Sequence, residues 1–526
     1  MIPFDVSGAF CAGNGGHELR HLAVRSAAAT VSASALAVGA QLISTVILAR
    51  LLTPADFGVV TMVTTFSLLL INFGLCGFTE AIIQSEEIDQ YTASNLLWLN
   101  AGAGLLLAIA FAAAGSLLAR FYGNSLVANV AAGLSLGIFV AAASVIHQAL
   151  LKRAMRFAET SANDVIARAV NTAVSILLAL RGWGYWALVA GIVAQQLSVT
   201  IGVWWLCRWI PSWPRRTGRT GTLVRFAVNV YARFSVRYFT QNIDNLLVGW
   251  RFDAVVLGFY KKAYDLFALS ASQLTAPLHT VALAALSRLN KDTARFTGYL
   301  LNAVGVIAFV GMAVGADLTL VGKDVIRLVL GPGWEESGRI FTFFGPGIGL
   351  MVLTSTTGWI HLSLGRADRW LRWTLLEFAV TILLFIIALR WGPEGIAVAW
   401  SASFWILTVP AFWYAGRPIQ LGVASLLATV WKYLVASLLS GCACAALTRR
   451  FLPSAATENA AVALARILVI SGLLLGLYLV AVIALHRGFA PIRQLASLLR
   501  ELTPGRKSTR PAPAVVTIRT KAIGDV

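Results

Sequence analysis

Long apolar runs separated by short polar gaps make up most of this chain. A bilayer core is crossed by about 20 apolar helical residues. Fourteen segments meet that length: 30–52, 59–83, 95–118, 125–150, 160–180, 185–207, 224–250, 258–286, 297–321, 338–362, 373–389, 395–415, 424–447 and 461–485. The fifth, seventh and eleventh are the least hydrophobic. The pattern predicts an all-α, polytopic membrane protein with fourteen transmembrane helices. An even count places both termini on one side. No gap is long enough for a soluble domain. The longest, 208–223 and 322–337, read as a basic, Pro- and Gly-broken linker and a short interfacial piece.

Composition agrees with lipid as the solvent: 58% of residues are hydrophobic and 12% charged, where soluble domains carry about 25% charged. The formal net charge of +19 does not mark a nucleic-acid binder, because the Lys and Arg residues sit in the gaps between apolar runs. There they orient the spans. One side collects Lys152, Arg153 and Arg156, then Arg208, Arg215, Arg216 and Arg219, together with Arg20, Arg25 and Lys291. The other side has fewer, so the first is read as cytoplasmic, with both termini on it. The acidic gap at 84–94 is the exception. Five cysteines scattered through the chain, most in apolar runs, read as small fillers, with no disulfide framework or metal cluster. Residues 1–29 lack the layout of a cleavable signal peptide. The tail 486–526 is basic and is expected to be disordered.

The sequence also repeats itself. "QLISTVILARLLTPADFG" (41–58) sits opposite "QNIDNLLVGWRFDAVVLG" (241–258), "KRAMRF" (152–157) opposite "GRADRW" (365–370), and "LRGWGYWALVAG" (180–191) opposite "LRWGPEGIAVAW" (389–400). Each second copy comes six spans later. Six is even, so the halves have parallel topology about an axis along the membrane normal. The expected organisation is a six-helix bundle over 30–207, a linker at 208–223, a second six-helix bundle over 224–415, and two appended helices over 424–485.

Charge inside the seventh span needs a reason, since each charge held at the bilayer centre costs about 2.5–3.5 kcal/mol on insertion scales. Asn229, Arg233, Arg237 and Gln241 follow at i+4, and Asp244 and Asn245 continue the stripe, so one helix face is polar from end to end. Lipid does not solvate such a face. It lines either a water-filled cavity or protein, and in the second case Arg237 and Asp244 pair across two turns as glue between helices. On the fifth span Asp164 and Arg168 form an i,i+4 pair. Lys261, Lys262 and Asp265 open the eighth span at its rim, and Arg466 snorkels from a helix end.

The segments "LARLLTPADFGVVTMV", "EAIIQ", "LLKRAMRF", "GWGYWALVA", "NIDNLLVG" and "LGFYKKAY" resemble, in this order, the Wzx-type polysaccharide flippases. These belong to the multidrug/oligosaccharidyl-lipid/polysaccharide exporter superfamily, and the resemblance is nearest to the colanic-acid and lipopolysaccharide-repeat exporters. It implies a protein of the bacterial plasma (inner) membrane that moves undecaprenyl-diphosphate-linked oligosaccharide repeat units between leaflets by alternating access. It also implies a lipid-linked oligosaccharide as partner, and a polysaccharide polymerase or co-polymerase as candidate protein partner. Arginine suits such a cargo, because its planar fork pairs phosphate oxygens bidentately and keeps its charge when buried. Two other readings stay open: a drug/cation antiporter or peptidoglycan-precursor flippase of the same fold, and a membrane polymerase or ligase. No cofactor is expected. Asp244 and Asp164 are open to a proton or sodium ion as coupling ion, and no motif decides between them.

Overall fold

In the computed structural model the described residues are 1, 3–5, 7–10, 36, 38–215, 218–290, 292–451 and 460–493. Arg20, Arg25, Cys11, Arg216, Lys291 and the tail beyond Arg493 lie outside them. The first half comprises α1 (Val38–Leu51), α2 (Pro54–Leu75), α3 (Phe78–Gln84), α4 (Gln90–Tyr122), α5 (Leu126–Arg153), α6 (Phe157–Leu180) and α7 (Tyr185–Leu206). The second comprises α8 (Thr220–Arg251), α9 (Ala254–Leu289), α10 (Thr293–Leu330), α11 (Glu335–Ser355), α12 (Thr357–Ser363), α13 (Ala367–Ala388) and α14 (Gly392–Gly416). Two more, α15 (Val423–Phe451) and α16 (Ala460–His486), follow. The fold is an all-α, polytopic membrane architecture.

Among the described residues, ten helical stretches are long and apolar enough to cross a membrane, where fourteen spans were expected of the whole chain. Val38–Leu51, the described part of the first span, is a shorter apolar helix, α8 carries Arg225, Arg233, Arg237 and Asp244 within its length, α9 is not among the ten, and α13 and α14 run together as one 52-residue stretch. That junction is the short 3-10 turn Leu389–Trp391. The 322–337 segment is not a separate interfacial piece. Its first part continues α10 to Leu330, making a 38-residue helix of about 57 Å. The linker is likewise shorter than expected, because α8 already starts at Thr220.

Within each half, buried polar side chains and small residues bring the helices together, as membrane packing requires. Asn100 donates to the Ala142 carbonyl at 2.7 Å, joining α4 to α5. Asn163 donates to the Val199 carbonyl at 3.1 Å and Asn171 to Gln195 at 2.7 Å, joining α6 to α7. In the second half Ser401 of α14 donates to the Phe343 carbonyl at 2.6 Å, and the Thr354 and Thr408 hydroxyls meet at 2.7 Å. The appended helices hold α10 through Tyr478, which donates to the Phe309 carbonyl at 2.8 Å, and Ser437, which donates to Met312 at 2.9 Å. Arg466 does not snorkel. It pairs with Asp324 at 3.3 Å with both side chains about one-fifth exposed.

The membrane face carrying the α7–α8 connection is called the linker side and the opposite face the far side. On the far side the halves meet where α2 crosses α9. Thr53 caps α2 with a reciprocal Asp56 bond, and Asp253, two hundred positions on, caps α9 through Val256 at 2.8 Å. Gly58 and Gly258 allow the crossing: a Cβ on Gly58 would lie 1.6 Å from the Ala254 carbonyl oxygen, and one on Gly258 1.9 Å from that of Pro54. Only glycine lets the backbones approach so closely. The two contacts are mirror copies of each other across the repeat. Beside them Trp334, buried in the α10–α11 loop, donates to the Ala49 carbonyl at 2.9 Å and meets the rings of Phe57 and Phe259 edge-on.

Candidate functional site

Helix α8 runs from the linker side to the far side. One flank lies on the first half: Tyr231 donates to the Leu69 carbonyl at 3.0 Å and sets its ring edge-on to Phe73, while Ala227 faces Gly77 at the α2–α3 break. The predicted stripe lies on the other flank. Asn229, Arg233, Arg237 and Gln241 are all exposed, and neither arginine has a hydrogen bond or ion pair among the described residues.

Asp244 and Asn245 behave differently. At 100° per residue Asp244 has an azimuth between those of Arg233 and Arg237, yet it is 0% exposed, and Asn245 is 1% exposed. Here α9 and α14 close over the stripe. Tyr260 donates to Asp244 Oδ2 at 2.8 Å and Trp400 Nε1 donates to the same oxygen at 3.1 Å. The predicted Arg237–Asp244 pair is therefore not formed. Seven residues amount to about 10.5 Å of helix rise, and Asp244 has nearer donors on two neighbouring helices. A single polar face is thus open along its linker-side length and shut at its far end. Asp244 Oδ1, also buried, has no hydrogen-bond partner among the described residues.

The other predicted residues are arranged less tightly. Asp164 and Arg168 are both exposed and make no ion pair. An exposed i,i+4 pair is worth only about 0.3–0.5 kcal/mol, too little to hold two long side chains in one geometry. Their neighbours Asn163 and Asn171 turn to α7 instead. Lys261 and Asp265 pair at 2.8 Å, and Lys262 stands 3.9 Å over the Phe57 ring. Lys261 lies seven positions into α9, about 10 Å along it, at the depth of Asp244.

Sequence reading did not find Tyr260 and Trp400, the partners of Asp244. The signal was indirect: Tyr260 sits in "LGFYKKAY", and Trp400 ends the second copy of the third repeat. It also passed over Glu377, a half-buried carboxylate in the middle of α13. No cluster of three or more His, Cys, Asp or Glu capable of holding a metal occurs among the described residues.

Comparison with known proteins places this geometry. Residues 47–339 match the model of the polysaccharide biosynthesis protein family. The chain is 21% identical over 318 residues to the succinoglycan biosynthesis transport protein ExoT of Rhizobium meliloti (strain 1021), covering 60% of this chain and 64% of that protein. It is 25% identical over 332 residues to the lipopolysaccharide biosynthesis protein WzxC of Escherichia coli (strain K12), covering 60% of this chain and 65% of that one. The match to each thus spans a little under two thirds of its length. Among solved structures, the lipid II flippase MurJ in an inward closed conformation superposes with a TM-score of 0.70 at 15% identity, over 88% of this chain and 99% of that one. An inward-facing multidrug resistance MATE family transporter gives 0.54 at 14% identity, over 72% and 94%. These likenesses establish a transporter fold of the MurJ and MATE type. With more than half of its residues inside the matched region, the chain belongs to the polysaccharide biosynthesis protein family.

Proposed function

We propose that this chain is a flippase, not an enzyme, that carries undecaprenyl-diphosphate-linked oligosaccharide repeat units from the cytoplasmic to the periplasmic leaflet for surface polysaccharide synthesis. One observation carries the reading: the arginine-bearing face of α8 is open on the linker side and closed at Asp244 on the far side. A charged face inside a membrane is kept only where it lines protein or water, and here Asn229, Arg233, Arg237 and Gln241 are exposed. Arg233 and Arg237 are the groups that grip the diphosphate, Gln241 and Asn245 continue the path, and Asp164 and Arg168 supply polar wall on the first half. Access alternates when the α2–α9 crossing opens and the linker side closes. The likeness to ExoT, a succinoglycan biosynthesis transport protein, and WzxC, a lipopolysaccharide biosynthesis protein, supports the cargo class.

The linker side is taken as cytoplasmic, with both termini on it, in a bacterial inner membrane. The domain limits follow the repeat: 30–207, 224–415 and the appended 424–485. Asp244 Oδ1, a buried acceptor without a donor among the described residues, is the proposed seat of a coupling proton or sodium ion, and a polysaccharide polymerase is the proposed protein partner. An antiporter for cationic drugs is disfavoured by two unpaired arginines on the open face.

Deletion of the gene is the decisive experiment. Surface polysaccharide should be lost while lipid-linked units accumulate facing the cytoplasm. Unpolymerised units already in the periplasm would identify a polymerase instead, and unchanged polysaccharide would sink the proposal.

A further inference from the structure

The α7–α8 linker is not a slack connection. Trp209 is 6% exposed, its ring lies 5.6 Å from that of Phe4, and its carbonyl is 3.1 Å from His147 Nε2 on α5. Ser212 N donates to Ser94 Oγ at 3.0 Å and Arg215 N to Asn95 Oδ1 at 2.9 Å, tying the backbone to the start of α4. Yet this fixed segment presents Ile210 at 83% and Trp213 at 82% exposure. A backbone held this firmly displays these apolar side chains in one fixed direction.

Their depth is set by α4. Trp213 stacks on Trp98 with centroids 5.9 Å apart, and Trp98 Nε1 donates to the Ser212 carbonyl at 3.0 Å. Helix α4 has 33 residues, about 50 Å, so about 10 Å at each end projects beyond a hydrocarbon core of about 30 Å. Trp98 lies eight positions along it, about 12 Å. Trp98 and Trp213 therefore stand at the boundary between hydrocarbon and headgroups, where tryptophan is enriched.

Charge identifies the headgroup. Two nearby carboxylates are engaged: Glu87 pairs with Arg219 at 3.0 Å, and Asp89 caps α4 through Thr92, while Glu86 is exposed. Arg208 is exposed with no hydrogen bond or ion pair among the described residues, and Arg215 reaches only the Tyr91 hydroxyl at 3.1 Å while lying over its ring. Among the described residues, most side-chain donors of both arginines have no partner.

We propose that residues 208–215 form a membrane foot: Ile210 and Trp213 seat in the interfacial layer, and Arg208 and Arg215 bind phosphates of acidic phospholipids in the adjoining leaflet. The foot thereby fixes the first half, and the start of α8, to the leaflet surface. This depends on the membrane placement of the chain and not on the cargo proposed above.

The test uses the full-length chain carrying a photo-crosslinking phenylalanine analogue at Ile210. It is reconstituted in nanodiscs of phosphatidylcholine and phosphatidylglycerol in equal parts and illuminated. Intact mass should show phospholipid adducts, with phosphatidylglycerol favoured by about fivefold per arginine. Arg208→Gln with Arg215→Gln should level the two lipids while adducts persist. Absence of any lipid adduct would overturn the membrane seat, as would a protein adduct on illumination in cells. Equal yields of the two lipids in the unaltered linker would overturn recognition of the acidic headgroup.

Discussion

Arg237 and Asp244 share a helix face but have different surroundings, and that difference sets their mutational behaviour. Asp244 is held by Tyr260 and Trp400, so removing Arg237 leaves it partnered. Arg237→Ala should keep wild-type abundance in the membrane, since deleting a charge also eases insertion. Charge-assisted hydrogen bonds are worth about 1.5–3 kcal/mol, so transport should fall by about ten- to a hundredfold. Arg237→Lys should also lose activity, because an ammonium does not reproduce the planar fork. Adding Asp244→Ala should not rescue either variant. Rescue would show that the two residues act as an ion pair after all. Asp244→Ala alone strands two buried donors, at about 1–3 kcal/mol each, and should lower the melting temperature in detergent, whereas Asp244→Asn keeps an acceptor and should not. The stripe was legible in the sequence because i+4 spacing is local. Its closure was not, since Trp400 lies 156 positions from Asp244 and nothing in a helical period reports which distant helix covers a face.

Among the elements, α2 and α9 make the contact on which closure of the far side depends. Gly58→Ala or Gly258→Ala puts a methyl group within 2 Å of a carbonyl oxygen, and helix backbones give way only by moving apart. Each variant should therefore shift the population toward a far-side-open state. Ser337 reports it: fully buried, it donates to the Phe259 carbonyl at 2.8 Å. In a background without native cysteines, Ser337→Cys should resist a membrane-impermeant thiol reagent and become reactive once either glycine is replaced. Unchanged protection would show that the crossing does not govern access. The α10–α16 pair behaves as an independent clamp. Arg466→Ala leaves Asp324 without this partner and should destabilise the protein by about 1.5 kcal/mol, the low end for a hydrogen bond to a charged group, and Arg466→Ala with Asp324→Ala should recover much of that, as read by thermal melting. Arg466 looked like a snorkelling side chain because its helix end was visible in the sequence and its partner, 142 positions away, was not.

For the whole molecule, the proposed orientation predicts reporter fusions directly. Fusions after Asn124 and Pro332 should report periplasm, and those after Arg156 and Arg216 cytoplasm. Reversal at two of these sites would overturn the orientation. Apolar runs and an offset repeat made the helix order readable before any contact was known, because membrane insertion depends on composition over short windows. Helix ends were less readable: α8 and α10 extend past their apolar parts, since backbone hydrogen bonding does not stop where hydropathy does. The swapped far-side contact also bears on inheritance. Gly58 against Ala254 and Gly258 against Pro54 form the kind of seam that two identical subunits make when related by a two-fold axis. In a duplicated gene each side of that seam has its own codon. Either substitution alone separates the same two backbones, so the second should add little to the fitness cost of the first in competitive growth. Selection on the seam would then hold each glycine separately, and neither copy would shelter drift in the other.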